Sequence, residues 1–133
     1  MMAKKTLERL SEGWFDQKMW ELFRELKILL YSPFFYLLTF LGNSFIIICG
    51  IIFFHLEHGT NPAVLKYLDA IWWAYTTATT TGYGNITPIT DLGKILSIVL
   101  MITGLALFAT FTALFAETIL ATRNKLDKKK SKT

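Results

Sequence analysis

Two stretches of the chain carry no Asp, Glu, Lys or Arg: Pro33 to Leu56 and Ile95 to Ala116. Each exceeds the roughly 20 apolar residues that a helix needs to cross a bilayer. At about 1.5 Å per residue the first would be roughly 36 Å long. The pattern predicts an outer membrane helix over 33–57 and an inner one over 91–122. A helical period precedes them: Phe15, Met19, Leu22, Leu26 and Leu29 share one face of 14–31, with Lys18, Glu21, Arg24 and Glu25 largely on the other. With Trp14 and Trp20 added, this segment reads as an amphipathic helix in the inner interface; a water-exposed helix packed on a partner gives the same pattern. Ser32-Pro33 supplies a corner, Ser32 as cap and Pro33 as first helical residue.

Between the spans the polarity changes. His55, Glu57 and His58 mark the outer water interface, and Gly59 and Pro62 end the helix. The two histidines are either exposed interfacial residues or a pH sensor. A short helix is expected over 68–79, with Asp69 at its positive end. About a dozen residues cannot span. It runs directly into Thr80-Thr81-Gly82-Tyr83-Gly84. Two glycines in a loop between apolar stretches present carbonyls that hydrocarbon cannot satisfy, so this loop must line water or ions. A Thr-x-Gly-Tyr-Gly strand there suits rings of carbonyls that replace the hydration shell of potassium. The partial negative charge at the preceding helix end favours a cation at the same place.

Charge sets the topology. Six Lys and Arg precede Ser32, six lie from Arg123 onward, and only Lys66 and Lys94 fall between. The positive-inside rule places both termini in the cytoplasm of a cell-membrane protein, with 57–90 facing outward. The formal charge of +4 does not indicate nucleic acid, because the basic tail directly follows a membrane helix and suits anionic lipid of the inner leaflet. The charged first thirty residues lack the apolar core of a signal peptide. Cys49, inside the first span, reads as packing. No phosphate-binding loop, metal-ligand cluster or nucleophile-base pair is present, so neither an enzyme nor a cofactor is expected. The expected divisions are 1–32, an N-terminal segment; 33–122, the pore; and 123–133, a basic tail.

Trp72-Trp73, then Thr76-Thr77-Ala78-Thr79-Thr80-Thr81-Gly82-Tyr83-Gly84-Asn85, then Pro88 and Gly93, closely resemble the pore of two-transmembrane bacterial-type potassium channels. The likeness covers roughly Pro33 to Leu120. It implies an all-α membrane protein: two transmembrane helices, a re-entrant pore helix and a selectivity-filter loop, preceded by an amphipathic interfacial helix and assembled as a homotetramer. It also implies K+ as the permeant ion, held by the Thr80 hydroxyl and the carbonyls of Thr80, Thr81, Gly82 and Tyr83. Trp72, Trp73, Thr76 and Asn85 would support the filter. Leu105, Phe108 and Thr112 would face the cavity, with Ala116 and Leu120 near the inner constriction.

Two positions depart from the commonest pattern of that family. Thr81 stands where Val or Ile is usual, which adds a hydroxyl in need of a partner behind the filter. Asn85 replaces Asp, which removes a ring of negative charge from the outer mouth. Thr76 occupies a place where some members carry a Glu. Gly104 falls where the family has a hinge glycine, and either bending or close packing would explain it. Glu117 is either an ion-attracting ring at the inner mouth or a partner of Arg24, Lys27 or Arg123. The flanking residues also resemble nonselective sodium/potassium channels, so a weakly selective cation channel is the second reading and a nonconducting membrane adapter the third. The sequence leaves the gating stimulus open, and the chain could be a complete minimal channel or an excised pore.

Overall fold

Apolar side chains dominate the surface of the two long helices. The computed structural model describes residues 19–130. Its elements are α1 over 19–30, α2 over Pro33–Glu57, α3 over Tyr67–Ala78 and α4 over Asp91–Lys130. Both α2 and α4 are long and apolar enough to cross a bilayer. Only 28% of the apolar window of α2 and 11% of that of α4 is buried within the chain, unlike the core helices of a soluble domain. The expected start of the amphipathic helix, with Trp14, Phe15 and Lys18, lies outside the described residues, as do 131–133.

The described chain divides into two compact units. Residues 37–111 form the first, which holds most of α2, all of α3 and the first half of α4. Its core joins Ile46, Cys49 and Phe53 of α2, Val64 of the following loop, Ala70, Trp73, Ala74 and Ala78 of α3, Ile86, and Leu100 of α4. Small residues bring the helices together: a Cβ on Gly50 would stand 3.0 Å from the Ile71 Cα, so α3 lies directly on the α2 backbone there. The Trp73 ring stacks on Phe53 with centroids 3.5 Å apart. At the start of α3, Asp69 accepts from the Lys66 amide at 2.8 Å and the Leu65 amide at 3.1 Å, satisfying donors the helix leaves open.

The second unit combines α1, the first turn of α2 and the end of α4. Met19, Leu22, Leu26 and Leu29 are the partly covered apolar positions of α1, on the face that the periodicity predicts. Glu21 and Glu25 are partly covered as well, which corrects their placement on the open side: Lys125 reaches Glu25 at 3.0 Å, and Arg24 pairs with both Glu21 and Glu25. Ser32 Oγ accepts from the Phe35 amide at 3.2 Å, with Pro33 as the first residue of α2. The Phe35 and Phe115 rings meet edge to face at 6.2 Å, and Thr122 is buried. The inner helix is longer than expected, continuing past 122 to Lys130. No glycine or proline follows Gly104, so nothing in the sequence breaks it earlier.

Candidate functional site

Backbone handedness shapes the loop after α3. Thr80, Gly82 and Gly84 have φ of 60°, 53° and 76°, whereas Thr81 and Tyr83 between them keep negative φ. Alternation of this kind gathers successive N–H groups on one side of a strand and turns the carbonyls to the other. Glycine adopts it freely, and a Cβ at Gly82 or Gly84 would meet nothing within 4 Å, so the requirement there is conformational. Thr80 adopts it against the preference of a β-branched side chain, which costs roughly 1–3 kcal/mol. Among the described residues it is the one non-glycine with positive φ. The alternation spans Thr80 to Gly84, the stretch whose carbonyls the sequence resemblance implies as ion ligands.

The last turn of α3 anchors this strand. The Gly82 amide donates to the Thr76 carbonyl at 3.0 Å, and the Thr80 amide to the Thr77 carbonyl at 3.1 Å. The Thr79 hydroxyl donates to the Tyr75 carbonyl at 2.8 Å and lies 2.9 Å from the Thr81 hydroxyl, so the extra hydroxyl of Thr81 has its partner. Tyr83 stacks on Trp72 with rings 5.5 Å apart and nearly parallel.

The expected support residues separate accordingly. Trp72 and Thr76 touch the strand; Thr76 does so through its carbonyl, its buried hydroxyl being turned to the Trp73 carbonyl at 3.0 Å. Trp73, about 100° round the helix from Trp72, is buried and stacks on Phe53 in the core. Asn85 is exposed just beyond Gly84.

Behind the segment that follows the strand lies a group the sequence placed differently. Glu57, expected at the water interface, is completely buried. Its carboxylate accepts from the Ile89 and Thr90 amides, each at 2.9 Å, the Thr90 hydroxyl at 2.7 Å and the Asn61 amide at 2.8 Å. Asn61 also donates to the Thr87 carbonyl at 2.8 Å. Thr90 in turn accepts from the Gly93 amide at 3.0 Å, capping α4. An acid at the end of an apolar run reads as an interfacial charge; the signal that could have marked it is the Thr90-Asp91-Leu92-Gly93 cap, which ends in a residue without a side chain. Asn43 is a second missed residue: Tyr75 donates to its Oδ1 at 2.8 Å, and its own amide donates to the Thr39 carbonyl. An amide inside an apolar run was its sequence signal.

On α4, Gly104 packs against the end of α3. A Cβ there would stand 2.5 Å from the Ala78 carbonyl oxygen and 2.7 Å from the Ala78 Cα, which favours the close-packing explanation. Leu105 and Phe108 are exposed in the unit that holds the strand. Further along α4, Thr112, Ala116 and Leu120 are exposed too. Glu117 is exposed and enters none of the described ion pairs; Arg24, one of its expected partners, pairs with Glu21 and Glu25. Among the described residues no group of three or more His, Cys, Asp and Glu side chains could hold a metal ion.

Part of the chain is similar to known potassium channels. A voltage-gated potassium channel of Aeropyrum pernix is 46% identical over 46 residues, which cover 35% of this chain and 16% of that protein. A hyperpolarization-activated voltage-gated potassium channel of Methanocaldococcus jannaschii is 42% identical over 71 residues, 51% of this chain and 33% of that protein. A solved structure of a voltage-gated K+ channel pore domain, closed and in lipid membranes, aligns with a TM-score of 0.49 at 34% identity, covering 72% of this chain and 92% of the other. The chain thus spans a third or less of the length of these two curated relatives. The ion channel family profile matches residues 41–121, which include α3, the carbonyl strand, the Glu57 network and Gly104, and the chain belongs to that family.

Proposed function

We propose that the chain forms a potassium-selective pore in the cell membrane, four copies each contributing one carbonyl strand to a common axis. The observation that carries this reading is the alternation of positive φ at Thr80, Gly82 and Gly84. It aims consecutive carbonyls one way, at the end of a helix whose C-terminal dipole is negative. A closed ring of copies gives each carbonyl level several oxygens, enough to replace the water of a dehydrated K+. The Thr80 hydroxyl completes the innermost site. Ions pass in single file, each displaced by the next, and no cofactor or chemical step is required.

Trp72 and Thr76 brace the strand, and Asn85 lies at its outer mouth. By the family resemblance, Leu105, Phe108 and Thr112 face the cavity, with Ala116 and Leu120 near the inner constriction. Both termini lie on the cytoplasmic side, where Arg123, Lys125 and Lys128 meet anionic lipid. The test is the reversal potential of the purified protein in liposomes with opposed K+ and Na+. A potential close to that of K+ is expected. Equal permeabilities would mean a weakly selective cation channel, and a fourfold assembly without ion flux would mean an adapter.

A further inference from the structure

Thr80 holds a conformation that a β-branched residue leaves when it can, and the residues on either side of it are joined. The Thr79 and Thr81 hydroxyls lie 2.9 Å apart, bridging over Thr80, whose φ is 60°. A hydroxyl has one proton to give. That of Thr79 is directed to the Tyr75 carbonyl at 2.8 Å. Thr81 therefore donates to Thr79, and a directed chain runs from the strand through Thr79 into the last turn of α3. Backbone strain persists only where its surroundings over-determine it. Here two neighbours are tied to each other and to a helix.

We infer that the Thr81 and Thr79 hydroxyls form a clamp that holds Thr80 left-handed and so keeps the carbonyls of Thr80 and Thr81 aligned; Thr81 is a positioning residue for conduction. The inference rests on the channel reading above. Rotating the Thr80–Thr81 peptide so that a carbonyl leaves the axis moves the Thr81 Cβ and breaks the hydroxyl chain. Bound cations oppose the same rotation by attracting the carbonyls. The clamp therefore matters most when few ions occupy the strand.

The experiment compares wild type, Thr81→Val, Thr81→Ser and Thr79→Val by current decay in planar bilayers at low and high K+. Valine nearly keeps the shape of Thr81 and lacks the hydroxyl, whereas serine keeps it. In low K+, Thr81→Val is expected to decay roughly fivefold faster or more, the rate equivalent of one lost hydrogen bond. The difference shrinks in high K+, and Thr81→Ser matches wild type. Thr79→Val cuts the same chain one link earlier and gives the same test should Thr81→Val not assemble; combining the two adds nothing to the faster single variant. Equal decay of wild type and Thr81→Val at every K+ concentration, or a Thr81→Ser as fast as Thr81→Val, overturns the clamp and leaves the channel reading standing. A wild type without K+ flux overturns the channel reading, and the clamp with it.

Discussion

The Glu57 carboxylate occupies the space that a side chain on Gly93 would need: a Cβ there would collide with Glu57 Oε1 and come within 2.9 Å of Thr90 Oγ1. A buried acid at the end of α2 thereby closes the start of α4, where backbone N–H groups and the positive helix end favour an anion. Gly93→Ala is expected to destabilise the protein by about 1–3 kcal/mol through overpacking. Glu57→Gln should cost about 1–3 kcal/mol, because the amide turns donors toward the donors of Ile89 and Thr90. Thermal unfolding in detergent measures both. Glu57→Ala removes the atom that Gly93→Ala would strike, so their costs should be sub-additive; strictly additive costs would refute the contact.

Gly104 offers a test with opposite signs. On helix propensity alone, Gly104→Ala should stabilise α4 by about 1 kcal/mol. The contact with the Ala78 backbone predicts the reverse, a loss of about 1–3 kcal/mol, since backbone cannot move aside as a flexible side chain can. A more stable Gly104→Ala would rule out close packing and return the hinge explanation.

Tyr75 of α3 and Asn43 of α2 form an exposed polar contact between the two helices. Tyr75→Phe and Asn43→Ala should show a coupling of about 0.6 kcal/mol, up to roughly 1.7, the range for hydrogen bonds between membrane helices. A double-mutant cycle on unfolding measures it, and zero coupling would mean that the pair contributes nothing net.

The Glu25–Lys125 pair predicts a dependence on acid. The hydrogen bond from Lys125 holds the Glu25 carboxyl below its ordinary value, against the opposing effect of burial and with a smaller contribution from Arg24. A depressed carboxyl stabilises the fold above its unfolded value and loses that contribution as pH falls through the lower, folded one. Protection of α1 amides from hydrogen exchange should therefore fall as the medium is acidified below about pH 4.3, the ordinary glutamate value. Glu25→Gln should flatten that dependence, and an unchanged profile in the variant would exclude the pair as its source.

Much of this was legible because hydrocarbon leaves few choices. Two uncharged runs of sufficient length had to become α2 and α4, and glycines at Gly82 and Gly84 marked backbone that must not face lipid. The face of α1 that carries Met19, Leu22, Leu26 and Leu29 followed from its period. Glu57 was misread because its partners are 32 and 33 residues away at Ile89 and Thr90, and without them an acid beside two histidines looks solvated. That Trp72 stacks on Tyr83 while Trp73 stacks on Phe53 was not legible, because sequence adjacency does not say which way each ring turns.

By itself the sequence determined which segments are apolar, where the polar loop interrupts them, and that this loop needs glycine; these follow from residue type and spacing. Only the tertiary structure decided what each polar side chain meets. It buried Glu57 over Gly93, tied Tyr75 to Asn43, set Gly104 against Ala78, and joined Thr81 to Thr79 across the left-handed Thr80. The physical reason is that hydrogen bonds and close contacts depend on positions within a few tenths of an ångström, and those are fixed when α2, α3 and α4 pack.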